Sequence, residues 1–336
     1  MHALLTCRLS CMCGRYLLAI VVAALIATQT VLAEVVEAQG VKVVTTFQYL
    51  ADDVTQLLCE GDEVISLVPP GVDPHEYSLT PRDVELLRNS NIVISTSHTH
   101  LESKIYELKV GGELNASIIE IPKIPNMRLR NVSGVNVINY HAITYDPDNY
   151  VTLMEVIAEE LTRLRPECRD AYLEKLNTAT KHVLDVRSDV KSADLLAIGS
   201  SPLIQYAVEW FGVKFAAYLV VDPEASPTPK DISNVERLLS SRSVNLTVIS
   251  DGDSPHDRAL MELSIKYSVP VLKVPSPISP GSMALKIKTV INNFNNLPKE
   301  VAHESGGKDG QGLPIVTLLI TLIVLIIALR RVSTWR

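Results

Sequence analysis

The chain has 336 residues, 47% of them hydrophobic, and a formal net charge of −7. That length supports a large core divided over two domains. Of its 31 Lys and Arg, 26 lie between two apolar ends together with all 38 Asp and Glu, a formal charge of −12 there, which excludes a nucleic-acid-binding surface and favours cations.

At the N-terminus, Arg8 and Arg15 precede the apolar run "YLLAIVVAALIATQTVLA", which closes on Val31-Leu32-Ala33. Residues 1–33 are therefore expected to be a signal peptide, with the mature chain starting near Glu34. Cys7, Cys11 and Cys13 would leave with it, and no cysteine stands at the cleavage point to carry a lipid. Cys59 and Cys168 remain, paired or free, in an oxidising compartment.

From Val41 short β-branched runs alternate with amphipathic stretches, the pattern of βα units on a parallel sheet. "VKVVTT", "EVISLV", "NIVIST" and "SIIEI" read as strands, with helices at Tyr49–Cys59, Pro81–Asn89 and Leu101–Val110. These form an N-terminal lobe over 41–147, and the pattern breaks in an irregular stretch, Ile121 to Tyr150, that runs into the connector. Connecting helices follow over 148–192, Asp148–Arg163 and then Pro166 to about Lys191. At about 1.5 Å per residue the second would run roughly 40 Å, a long bridge between lobes.

The alternation resumes in "DLLAIGSS", "VKFAAYLVV", "VNLTVIS" and "VPVLKV", a second lobe over 193–297. Thr80-Pro81-Arg82-Asp83 in the first lobe and Thr228-Pro229-Lys230-Asp231 in the second are matching capping sequences, which suggests an internal repeat. The expected fold is thus α/β, two Rossmann-like lobes with parallel sheets joined by a long connecting helix. A glycine-rich stalk (298–312) leads to 17 uncharged residues, Leu313 to Leu329, followed by Arg330 and Arg331. The segment 313–331 is expected to be a single transmembrane anchor with the ectodomain outside the cytoplasm. Asn115, Asn131 and Asn245 each open an N-x-S/T sequon.

The stretch "VPPGVDPHEYSLTP" holds one histidine, His75, in a Pro/Gly turn just before a helix start. With the run from "VVTTFQYLADDVTQLL" to "SNIVIST" around it, this stretch resembles the first lobe of the metal-binding solute-binding proteins of ABC uptake systems for zinc and manganese. "HAITYDPDNY" is similar to a second motif of that family, and "SSPLIQYAVEWFGVK" with "DPEASPTPKDISNVERLL" follows its second lobe. The resemblance covers about Val41 to Asn292. It implies a divalent metal ion, zinc or manganese, as ligand, and His75 and His141 as its donors. It implies an ABC permease with its cytoplasmic ATPase as partners, and no enzymatic activity.

The resemblance breaks in lobe two. The family's third donor, a histidine or glutamate, aligns with Ser201, and its fourth, an aspartate, falls near Pro275 or Ser276. Replacements are at hand, because "STSHTHLESK" puts His98 and His100 directly after the third strand, on one side of the chain if it stays extended. Asp251, Asp253 and His256 could close the site from lobe two. Glu224 is expected to order its loop, and His182 and His303 receive no role. Two other readings remain in view: the same fold with an altered or lost metal site, binding another solute or a surface partner, and a hydrolase with three histidines and a water on zinc.

Overall fold

The computed structural model describes residues 40–298 except 71 and 73. The expected signal peptide, nearly all of the stalk and the membrane anchor lie outside the described residues. Within them no helix is long and apolar enough to cross a membrane.

The first lobe runs β1 (Lys42–Thr45), α1 (Gln48–Thr55), β2 (Glu63–Ser66), α2 (Pro81–Arg88), β3 (Ile92–Ser95), α3 (His100–Val110) and β4 (Ser117–Glu120). Its strands are parallel in the order β2-β1-β3-β4. β3, Ile-Val-Ile-Ser, is buried at every position, as a central strand covered on both faces must be. The second lobe holds β7 (Leu195–Gly199), α6 (Gln205–Val208), β8 (Val213–Tyr218), α7 (Pro229–Ser240), β9 (Leu246–Ser250), α8 (Pro255–Tyr267) and β10 (Val271–Val274). Its sheet, β8-β7-β9-β10, is again parallel and repeats the order of the first. In both sheets the chain reverses direction beside the first strand, which opens a crevice at the carboxyl edge.

The two capping sequences act alike. Thr80 accepts from the Asp83 amide while Asp83 accepts from the Thr80 amide, and Thr228 with Asp231 does the same. Thr99 with Glu102 and Ser254 with Asp257 form two further boxes, at the starts of α3 and α8. Each fixes the end of a loop at the carboxyl edge, at about 1 kcal/mol apiece.

The stretch read as irregular holds a short antiparallel hairpin, β5 (Arg130–Asn131) and β6 (Ile138–Asn139). Gly134, at φ +86°, makes its turn; two-residue strands leave no periodicity to read. α4 (Pro147–Leu164) and α5 (Arg169–Asp189) follow, separated by a 3-10 turn at Pro166–Cys168 and packed on one another. α5 has 21 residues, about 32 Å and shorter than the 40 Å expected, because the turn takes its first residues and it ends at Asp189.

Cys59 and Cys168 form a disulfide between lobe one and that turn. Beside it the buried Asp62 accepts from the amides of Val41 and Cys59, the Arg165 guanidinium (2.9 Å) and the Tyr172 hydroxyl (2.7 Å). α9 (Met283–Asn295) leaves lobe two and packs on α1, α4 and α5, with the buried Asp53 accepting from the Met283 amide at 2.9 Å. One apolar core consequently runs from Val43 through Leu153 and Tyr172 to Val248 and Ile291, with a smaller one around Ile198, Leu239 and Leu260.

Candidate metal centre

Three loops bring imidazoles to the crevice. His75 lies between β2 and α2, His98 follows β3, and His141 follows β6 at the start of the connector. Their ring centroids are 5.0 Å (His98–His141), 5.5 Å (His75–His98) and 6.1 Å (His75–His141) apart. One nitrogen from each lies within 4.8 Å of the other two. Donor nitrogens on a tetrahedral zinc sit about 3.3 Å apart, so a small inward movement of the rings would close the set on an ion.

Each ring is oriented by an acceptor at Nδ1. For His141 the acceptor is Asn139 Oδ1, at 3.0 Å. The orientation of that amide is forced, because Asn139 Nδ2 donates to Pro202 O (2.8 Å) and Gln205 Oε1 (2.9 Å) across in lobe two. His141 must therefore carry its proton on Nδ1, leaving the lone pair on Nε2. For His98 the partner is the Thr96 hydroxyl, at 2.8 Å. That hydroxyl donates to Glu102 (2.8 and 2.9 Å), so it accepts from the ring and again frees Nε2. His75 Nδ1 sits 3.1 Å from Glu224 Oε1 of lobe two. This is the outer-shell support that metal-binding histidines require.

Glu102 anchors the His98 loop. Its buried carboxylate accepts from the amides of Thr96, His98 and Thr99 and from the hydroxyls of Thr46, Thr96 and Thr99. Burial alone would raise its pKa, but His98 and these donors outweigh it and hold the carboxyl below its usual range. Burial also lowers the His98 pKa, with Glu102 opposing and His75 adding to the drop. His141 is pushed down to about 3 by burial and by the His98 and His75 rings, against a small opposing pull from Asp222. Both rings are thus neutral at physiological pH, the form that binds a metal.

His100 does not join the cluster. Thr99 is the N-cap of α3, so the chain leaves the extended conformation between His98 and His100, and alternation no longer puts the two on one side. His100 is exposed, in a surface groove with Tyr77 and Leu79. Glu224 does more than order its loop, since it touches His75. Ser201 is buried and its Oγ has no hydrogen-bond partner among the described residues. Asp251 accepts from the Ser276 amide and Asp253 pairs with Arg258; neither belongs to the histidine group. His256 is buried and lines the same cavity as the three histidines without joining them. His182 is exposed on α5, and His303 lies outside the described residues. Sequence reasoning missed Asn139 and the Glu224 contact, which are made across lobes and leave no local signal. Glu102 was legible as the fourth residue of a T-x-x-E box.

Two α/β lobes of one strand order, facing each other over a crevice with oriented imidazoles, define a solute-binding protein of the metal-uptake class. The chain belongs to the family Zinc-uptake complex component A periplasmic (ZnuA), whose sequence profile matches residues 43–272. As such it is a component of an uptake complex and not an enzyme. The manganese ABC transporter substrate-binding lipoprotein PsaA of Streptococcus pneumoniae is 26% identical over 254 residues, covering 68% of this chain and 77% of that protein. The iron ABC transporter substrate-binding lipoprotein MtsA of Streptococcus pyogenes serotype M1 is 27% identical, covering 84% of this chain and 92% of the other. Among solved structures, FpvC of Pseudomonas aeruginosa in complex with Mn2+ superposes with a TM-score of 0.64 at 18% identity, over 80% of this chain and all of that one. The periplasmic zinc-binding protein TroA of Treponema pallidum gives 0.60 at 16% identity, over 76% of this chain and 98% of that one. These two likenesses bear on the fold.

Proposed function

We propose that this protein captures a divalent metal ion outside the cytoplasm and delivers it to an ABC permease, with His75, His98 and His141 as the donors. The observation that carries this reading is the cluster itself, three imidazoles with one nitrogen of each within 4.8 Å of the others, each with an oxygen beside Nδ1, and with Nε2 as the lone-pair atom of His98 and His141. A nitrogen donor set suits zinc better than manganese, which prefers carboxylate and carbonyl oxygen. The division into lobes at 41–147 and 193–297 with connectors at 148–192 belongs to the same reading, as does anchoring through 313–331. His100, exposed and on the far side of the Thr99 cap, is left out of the donor set.

Elemental analysis and calorimetry on the full chain test it. One zinc per chain is expected, bound more tightly than manganese and lost in His75→Ala and in His141→Ala. Absence of any bound divalent ion in the wild type would overturn the reading.

A further inference from the structure

The three donors all come from lobe one and the connector. At the matching strand ends lobe two offers Ser201 after β7, Ser250 as the last residue of β9 and Ser276 after β10. Its acids at this edge are engaged. Glu224 holds His75 Nδ1, Asp222 accepts from the Glu224 amide (3.0 Å), Asp257 accepts from the Ser250 amide (2.8 Å) and caps α8, and Asp251 accepts from the Ser276 amide (2.6 Å). A tetrahedral divalent metal on three imidazoles keeps a fourth position open. Its donors are neutral, and the carboxylates of Glu224 and Glu102 stand behind the His75 and His98 rings, so no ligand atom itself carries negative charge.

The space at that position is larger than a water needs. A cavity of about 300 Å³ is lined by all three histidines and extends to Ser250, Ser276 and Ile278. A water takes about 30 Å³, whereas pockets for small organic ligands begin at about 300 Å³. Apolar side chains such as Leu203 and Ile278 line it beside the serines, so it suits a short organic body with one end on the metal and polar atoms toward the hydroxyls. Of common small ligands, a carboxylate supplies both the oxygen donor and the missing negative charge.

Building on the metal-binding reading above, we infer that the cargo is the metal together with a small carboxylate, which fills the fourth position on the His75–His98–His141 set and occupies the cavity toward Ser250 and Ser276. The anion displaces metal-bound water, and no covalent bond is made or broken. The protein thereby takes up a metal–carboxylate complex, where a site with four protein donors takes the bare ion.

The test uses the purified full chain loaded with Co(II), whose visible bands report its ligands, titrated with acetate and then with malonate. The expected result is a saturable change in the bands with one cobalt retained per chain, and an apparent cobalt affinity about tenfold tighter in saturating malonate. Ile278→Trp, at a half-exposed position (42%) that lines the cavity, should still bind cobalt but lose the malonate response. Ser276→Ala should weaken the response with little change in cobalt binding. Histidine-dependent cobalt with bands that neither anion alters would overturn the inference and leave metal capture standing, and a response to chloride equal to that to malonate would do the same. Cobalt bound equally well by a His75→Ala/His98→Ala double variant would overturn both.

Discussion

The two lobes share a strand order and a capping device but not an endowment. Lobe one delivers histidines from the ends of β2 and β3, whereas lobe two delivers serines from the ends of β7, β9 and β10 and a glutamate that touches a histidine instead of an ion. The difference teaches that strand order sets where a ligand sits, while the loop residues set what it is. In this chain lobe two helps to orient two of the donors that the other half supplies, His75 through Glu224 and His141 through Asn139.

The largest expected effect tests that division directly. His98→Ala should lower zinc affinity about a thousandfold or more, roughly 4 kcal/mol, while Ser201→Ala changes it less than about threefold, both read by calorimetry. Equal losses would mean that lobe two contributes a donor after all.

Next in size is the fastening of lobe one to the connector. The Cys59–Cys168 bridge closes a separation of 109 residues, so a Cys59→Ser/Cys168→Ser variant should lose about 3 kcal/mol of stability. A chemical-denaturation midpoint measures it, and an unchanged midpoint would show that the Asp62 cluster holds the lobe unaided.

Acid should act mainly through the histidines. The folded His141 pKa of about 3 lies below the ordinary 6.5, so below pH 6.5 the unfolded chain binds protons that the folded chain refuses. Stability is therefore fully present above about pH 7 and is lost as pH falls toward 3, with about 2 kcal/mol gone by pH 5. Urea midpoints of the metal-free protein at pH 7 and pH 5 should differ, and His141→Gln should flatten the difference. A variant as acid-sensitive as the wild type would move the effect to His98 and His256, whose pKa values burial also lowers.

The smallest effect should come from the orienting residue. Glu224→Gln keeps an acceptor on His75 but removes a charge, so zinc should bind about tenfold more weakly, with stoichiometry unchanged in a competition titration. A complete loss of zinc would instead make Glu224 a ligand.

Much of this was legible in the sequence. β-branched runs marked the eight sheet strands, and Thr-Pro-x-Asp marked two helix starts correctly because capping is local chemistry. His75 and His141 followed from their motifs, and His98 from its place after β3. His100 fell outside because one capping residue, Thr99, turned extended chain into helix, a boundary that periodicity cannot place to a single residue. The return of α9 onto lobe one, the β5–β6 hairpin and the reach of Asn139 and Glu224 across the lobes depend on contacts distant in sequence, and no window of residues encodes them.

Asn139 has one more consequence. Its amide faces His141 the right way round because Pro202 O and Gln205 Oε1 hold its NH2 group while the His141 amide donates to its Oδ1. Were lobe two drawn back from those contacts, the amide could turn over and offer that NH2 to Nδ1. A metal-free imidazole would then favour its proton on Nε2, so the contact with lobe two and the metal-binding tautomer of His141 favour one another.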